Sequence, residues 1–581
     1  MKNIIILILF FALTSINTAL ATRAIVKSIT DVDTIDNTHE FYAVIEKDVK
    51  ITPDILLPKG SVLYTELVKI VPERYFRRNA YIVVRLMALN TDTEVIPNLI
   101  HYYFNNDKIT KGFDKFLKAV KRTTDDLKGS YALEIISSLF PDTIVVVKKD
   151  SPLVIGKGSG ENFIASDIPA ILKYSREFYL LDDYEFAVIN KNDISFYDAS
   201  LSIHNKEIKN VDWDATSSEK NGFEDYMLKE IYEQPTAIRE TVGSRFSLGE
   251  KCSFDDIAIS EKYLKSIDKI YIVACGTAMH AGLIGKYAIE KLCRIPVEVD
   301  MASEFRYRNP ILDEKTLCIY ISQSGETADT LAALRLAKSH KARTLAITNV
   351  MGSTITREAD NTIYTHAGPE IAVASTKAYT CQIVFVVILA IYFAEILKSY
   401  PIEDLENIKS EILDLPTKIE SILAKCEKVK EFANKVYTQK DMFFLGRGND
   451  YNVALEGSLK LKEISYIHSE AYAAGELKHG PIALIENGVT VIGIITNKDL
   501  LEKSISNLQE VITRGAKTLI ITNQILPNIN FDSVIDIPET HELLSPILAI
   551  VPLQLLAYHI SKNKGLDVDK PRNLAKSVTV E

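Results

Sequence analysis

The chain repeats itself once, over the length of a whole domain. Residues 269–276 (KIYIVACG) and 440–446 (KDMFFLG) each read as a strand running into a glycine turn and then a helix. Residues 344–349 (TLAITN) and 518–523 (TLIITN) are near-identical strands. Gly276 to Gly446 is 170 positions and Thr344 to Thr518 is 174, so the two copies hold register from end to end. Strands alternate with helices in both copies, which predicts parallel α/β sheets with helices on both faces. A duplication of this size predicts a pseudo-twofold pair of domains with a site at or near their junction.

The remaining residues set the limits of the reading. A chain of 581 residues holds three or four domains, because single cores stop growing at roughly 250–300 residues. We divide it into 1–21, 22–89, 90–211, a linker at 212–243, the two repeats at 244–400 and 401–560, and a polar tail at 561–581. Residues 1–21 carry one lysine, an apolar run and Ala19-Leu20-Ala21, the layout of a secretory signal. Residues 22–89 read as short β-prone runs without evident chemistry. From residue 90 come helix patterns at 92–105 and 113–127, then strands at 131–137 and 143–148. The polar stretch 212–223 precedes a helical entry at 227–242. Residues 383–397 form the longest later apolar run, too short and interrupted by Glu395, so they predict a buried helix.

A net charge of −10 argues against a nucleic-acid or anionic-membrane partner, which needs a basic face. The six cysteines show neither C-x-x-C pairing nor partnered histidines, so they predict reduced thiols, with no metal site and no disulfide framework. Gly156-x-Gly158-x-Gly160 lacks dinucleotide-binding spacing, and no cofactor is expected.

In open parallel sheets ligands bind beyond the carboxyl ends of the strands, at helix N-termini. The strand at 316–321 runs straight into Ser322-Gln323-Ser324-Gly325-Glu326-Thr327. An ordinary helix cap needs one hydroxyl. Four polar donors around a glycine, at the positive end of a helix, suit a phosphate. Thr277 and Ser375-Thr376 are candidates for the same place.

The second repeat supplies ionisable groups. Glu456, Lys460 and Glu463 stand at i, i+4 and i+7 on one face of a helix expected over 453–464. A solvated ion pair is the plain alternative, but this helix reads as largely packed, so its charges need a reason. Residues 472–481 place Glu476, Lys478 and His479 in a glycine-bounded turn, where a histidine suits acid–base work. Lys576, in the tail, has the chemistry to form an imine with a ketose.

At Cys275-Gly276-Thr277, 303–308 (SEFRYR), 322–327 (SQSGET), 374–377 (ASTK), 454–463 (ALEGSLKLKE), 470–480 and 571–581, the chain closely resembles the glucosamine-6-phosphate synthases. These are the glutamine–fructose-6-phosphate transaminases (isomerizing), and the resemblance runs from about residue 90 to 581. It implies an α/β fold of tandem sugar isomerase (SIS) domains, preceded by the C-terminal part of an α+β glutaminase domain at 90–211. It also implies a homodimer acting on fructose 6-phosphate in hexosamine biosynthesis, in the cytoplasm; the signal-like segment points instead to export. By the same resemblance Thr277, Ser322, Gln323, Ser324 and Thr327 hold the phosphate, while Val373 and Ser375 line the hexose site. Glu463 shuttles a proton between C1 and C2, with Glu456 and Lys460 beside it. His479, from the partner subunit, assists ring opening, and Lys576 forms the imine.

The glutaminase part departs from the family. The family's domain begins Met-Cys-Gly and uses that cysteine as nucleophile, whereas this sequence begins Met1-Lys2-Asn3 and has no cysteine before Cys252. Asp92 matches the residue that grips the glutamine α-amine. The expectation is an enzyme using free ammonia, with glutamine use lost. A deaminase running in reverse and a non-catalytic fusion product are the alternatives.

Overall fold

The computed structural model describes residues 95–579, apart from 167, 169, 173, 211–219, 244, 255, 256 and 258; within residues 1–94 it gives only the backbone of seven strands. Asp92, most of the signal-like segment and most of residues 22–89 lie outside the described residues. The chain forms two compact units that meet in sequence at Val211 and Asp212.

The first unit is built on an antiparallel six-stranded sheet. Its central strands Tyr131–Ser137 and Phe140–Lys149 pair along their length, and Ile82–Leu86 flanks Tyr131–Ser137 on the outer side. Alternation sets the two faces. Leu133, Ile135, Val145 and Val147 turn toward helices Val95–Asn106 and Gly112–Asp126, burying Ile100, Phe116 and Val120. Ala132, Val146 and Ala187 turn the other way, onto a core with Leu153, Ile155 and Leu181.

The second unit contains both repeats. The first sheet comprises β1 (Lys269–Ala274), β2 (Val297–Met301), β3 (Thr316–Ser322), β4 (Arg343–Thr348) and β5 (Asn361–Tyr364), in the order β2-β1-β3-β4-β5. The second comprises β6 (Asp441–Gly446), β7 (His468–Ala473), β8 (Thr490–Ile495), β9 (Lys517–Thr522) and β10 (Ser533–Asp536), in the order β7-β6-β8-β9-β10. Every pairing in both is parallel, and the two topologies are identical. The buried strand β3 is apolar almost throughout, because a parallel sheet is covered on both faces.

Two helices lead into this unit, α1 (Tyr226–Tyr232) and α2 (Gln234–Val242). The sequence predicts one continuous run here, but Pro235 lacks the amide hydrogen that would continue α1, so the chain caps at Glu233 and restarts. Helices α3 (Gly276–Cys293), α4 (Ala328–Ser339), α5 (Lys377–Leu397), α6 (Ile402–Leu423), α7 (Asn449–Ser465), α8 (Leu501–Thr513) and α9 (Ser545–Asn563) complete the layers. Helix α5 is long and apolar enough to cross a membrane, yet it is buried along its length between its neighbours. Gly285 lets α3 approach it closely, since a Cβ there would stand 3.2 Å from Val386. The principal core runs through both repeats without a break, from Ile270 and Ile319 across α5 to Phe444 and Ile492.

Candidate functional site

The turn after β3 is rigid before any ligand arrives. Gly325 has φ +68°, and a Cβ on it would come within 2.1 Å of Ser353 Oγ, so no other residue fits without displacement. Ser322 Oγ accepts the Gly325 N–H at 3.0 Å and lies 3.2 Å from Thr327 Oγ1. Ser324 Oγ accepts the Glu326 N–H at 3.2 Å, and the Glu326 carboxylate accepts the Thr354 N–H at 2.7 Å. The Gln323 carbonyl accepts from Asn349 at 3.2 Å. The polar tail comes to this turn: Ser577 Oγ lies 2.9 Å from Ser324 Oγ, and the Val578 carbonyl accepts the Ala328 N–H at 3.1 Å.

A second cluster lies where the two repeats meet. Helix α7 carries Glu456 and Lys460 at 0% and 1% exposure, with Glu463 at its more open edge. These are charges inside a core, and the other repeat supplies part of their compensation. From α3, Thr277 Oγ1 donates to Glu456 Oε1 at 3.0 Å and accepts from Lys460 Nζ at 2.9 Å. His280, one turn further along α3, places Nδ1 2.6 Å from Glu456 Oε2. Lys460 Nζ also lies 2.6 Å from Glu463 Oε2. Burial works against the Lys460 charge, but Glu463 and Glu456 outweigh it and hold the ammonium above the usual lysine range. Thr277 therefore joins this charged seam, and its bonds in the structure are to Glu456 and Lys460.

Lys576 forms a third group. Its Nζ donates to Glu370 Oε2 at 2.7 Å and to the Ala372 carbonyl at 2.8 Å. Glu370 also accepts from Ser375 Oγ at 2.9 Å and from the backbone of Thr376 and Ala378 at 2.9 and 3.0 Å. Burial opposes its charge, yet Lys576 and these donors prevail and hold the carboxyl down at about 2. Glu230, on α1, lies beneath the same loop, its Oε1 accepting the amides of Ile371 and Ala372. Among the described residues its Oε2 has no hydrogen-bond partner, and burial together with the charge on Glu370 pushes the carboxyl up to about 8. Burial and the neighbouring anion thus both favour the neutral form of Glu230. Lys460 is close enough to feel Glu370, so the seam and the tail share one electrostatic neighbourhood.

The residues singled out from sequence fall in these places. Ser322, Gln323, Ser324 and Thr327 form the turn, and Ser577 ties the tail segment bearing Lys576 to it. Ser375 sits beside Glu370, and Val373 donates its N–H to the Asp569 carbonyl at 3.0 Å. His479 is exposed at the end of a 3₁₀ turn (Ala474–His479), and no hydrogen bond or ion pair among the described residues links it to the seam. Sequence reasoning missed Glu370, Glu230 and His280. Only His280 carried a usable signal, lying three residues after Thr277 on the same helix face. Among the described residues no group of three or more His, Cys, Asp and Glu is placed to hold a metal.

Comparison with known proteins agrees with this fold. The SIS domain family matches residues 263–392 and 435–561. A glutamine–fructose-6-phosphate aminotransferase [isomerizing] of Clostridium perfringens is 55% identical over 495 residues, covering 84% of this chain and 80% of that protein. A protein of the same description from Clostridium tetani is 56% identical over 493 residues, with the same shares covered. Among solved structures, the C-terminal domain of glucosamine-fructose-6-phosphate aminotransferase from Francisella tularensis matches with TM-score 0.59 and 40% identity. That match spans 61% of this chain and all of the solved domain.

Proposed function

This chain belongs to the glutamine–fructose-6-phosphate aminotransferase (isomerizing) family, and from that premise we propose how its second unit makes glucosamine 6-phosphate for hexosamine synthesis. The sugar phosphate sits at the 322–327 turn, held by Ser322, Gln323, Ser324 and Thr327 with the dipole of α4 behind them. Val373 and Ser375 line the hexose. Once its ammonium has released a proton to solvent, Lys576 attacks C2 of the open-chain ketose and water leaves, giving an imine. Ammonia then displaces the lysine, leaving a nitrogen at C2. Glu463 removes a proton from C1 and returns one to C2 while the C1 hydroxyl proton passes to the nitrogen, so the double bond moves from C2=N to C1=O and no electrons are gained or lost. Lys460, with Glu456 fixing it, steadies the negative charge that passes through Glu463 and the sugar. His479 enters from the second subunit of a homodimer to open the ring.

The observation that carries this reading is the tail. Ser577 lies on the phosphate turn while the preceding Lys576 is forked by Glu370 and Ala372, so turn and amine are one residue apart along the chain. That spacing suits a hexose whose phosphate and C2 lie at opposite ends of a short chain.

The nitrogen source is free ammonia in this reading, since no cysteine precedes Cys252 in the sequence and Asp92 alone does not activate an amide. The first unit then contributes no glutamine chemistry, and the chain acts where hexose phosphates are found, in the cytoplasm. The deaminase and non-catalytic alternatives are not favoured, because aminotransferases match over 84% of the chain.

The test is product formation from fructose 6-phosphate with ammonium or with glutamine. Glucosamine 6-phosphate is expected with ammonium and to disappear in Lys576→Ala. No product with either donor would overturn the reading, and glutamine performing as well as ammonium would overturn the proposed nitrogen source.

A further inference from the structure

In a sheet of order β2-β1-β3, successive connections leave in opposite directions between β1 and β3, and the crevice there is where ligands bind. The turns at residues 276–277 and 322–327 flank that crevice in the first repeat. The second sheet has the same order, so its crevice lies between β6 and β8, flanked by residues 446–448 and 496–500. Thr496 stands 174 positions beyond Ser322, and α8 opens at Leu501 as α4 opens at Ala328. The second repeat therefore keeps the strand, the turn and the helix N-terminus.

Its donors are already engaged. Thr496 gives its N–H to Asp450 Oδ2 at 2.9 Å and its hydroxyl to Asp450 Oδ1 at 2.5 Å, and the Asn497 backbone also bonds this carboxylate. Asp450 is 2% exposed and belongs to the first turn of α7, not to the turn it satisfies. It does not cap the 3₁₀ turn Lys498–Leu500 that leads into α8 either, because Asn497 does so, accepting the Asp499 N–H at 2.9 Å. Gly446 makes the approach possible, since a Cβ there would lie 2.3 Å from the backbone of Asp450. The space left over is about 10 Å³, lined by Tyr287, Asn449, Asp450, Thr496, Asn497 and Glu542. That is the room of about one water, far less than a phosphate group needs.

We propose that Asp450 is a built-in replacement for the substrate's phosphate: it fills the anion seat of the second repeat, so that each chain takes one sugar phosphate, and the same contact fixes the N-terminus of the helix that carries Glu456, Lys460 and Glu463. The inference rests on reading the 322–327 turn as the phosphate seat of the first repeat. It explains why two sheets of identical topology differ in what they offer a ligand. One turn is closed by its own hydroxyls and by Ser577 and Val578 of the tail, and the other by an internal carboxylate.

The full chain is titrated with inorganic phosphate and the bound ion counted by equilibrium dialysis. The wild type is expected to bind one phosphate per chain, D450S two, S324A/T327A none, and the triple variant one. A phosphate that survives S324A/T327A in otherwise wild-type protein counts against the 322–327 seat alone; whether D450S adds a further phosphate judges the second seat independently. Two phosphates on the wild type, or no gain in D450S, would overturn the inference. If D450S is poorly stable, saturating phosphate must raise its Tm by more than that of the wild type, and equal rises would overturn the inference as well.

Discussion

Replacing Glu370 by Gln tests the electrostatics of the tail. The carboxylate is held at about 2 against its ordinary 4.5. By linkage that difference stabilises the fold by about 3 kcal/mol near neutral pH, since each unit corresponds to about 1.4 kcal/mol. Gln keeps the shape and still accepts from Thr376 and Ala378, but leaves Lys576 without its counter-charge. Some of the loss is recovered because Glu230 no longer faces a neighbouring anion. Lys576 is part-exposed, so solvent also offsets part of it. A loss of about 2–3 kcal/mol at pH 7.5 is expected, equivalent to roughly 3–4 °C in apparent Tm for a unit of this size. The sign of the pH dependence is fixed. The folded pKa lies below the unfolded one, so the stabilisation is present above 4.5 and is lost as pH falls from 4.5 toward 2. Thermal unfolding followed by near-UV circular dichroism from pH 8 to pH 3 should therefore show the gap between wild type and Glu370→Gln narrowing on the acid side. A gap that stays constant across that range, or a variant melting within 1 °C of wild type at pH 7.5, would refute the assignment of the charge to Glu370.

Three further outcomes are expected. Glu230→Gln should remove an alkaline loss of stability: the folded pKa is raised to about 8, so the wild type loses stability as pH rises from 4.5 through about 8, whereas the amide does not titrate; unfolding between pH 6 and 9 measures the difference. Glu463→Gln should lower ammonium-dependent turnover by roughly 10²–10⁴-fold, and solvent deuterium should no longer enter C1 of fructose 6-phosphate, as read by NMR; Tm should fall as well, because the buried Lys460 loses the carboxylate 2.6 Å from its Nζ. Gly325→Ala forces a φ of +68° on alanine and drives its Cβ into Ser353, so a loss of about 2 kcal/mol or more, together with loss of phosphate binding by calorimetry, is expected.

The two α/β sheets were legible because parallel strands covered on both faces leave unbroken apolar runs such as KIYIVA and TLCIYIS. The polar turn at residues 322–327 was legible because its residues are consecutive. Helix α7 begins at Asn449 rather than 453, since Gly448 takes a φ of +58° and turns the chain into the helix earlier than apolar spacing suggests. What spacing does not reveal is pairing across the fold. Thr277 and Glu456 are 179 positions apart, and Glu370 and Lys576 are 206 apart. Glu370 stands alone in a loop and Glu230 alone on a short helix, so neither belongs to a periodic pattern that would set it apart. The burial of Lys460 is a tertiary fact, created by α3 crossing over α7.

That crossing makes the duplication a division of labour. The first copy contributes hydroxyls and an imidazole, and the second contributes the charges they solvate. Expressed alone, the second copy would carry Glu456 and Lys460 on a bare face without the threonine and histidine that replace water around them. Neither copy is therefore a miniature of the whole, and the helix that bears Glu456 and Lys460 has its buried partners only when both copies are packed together.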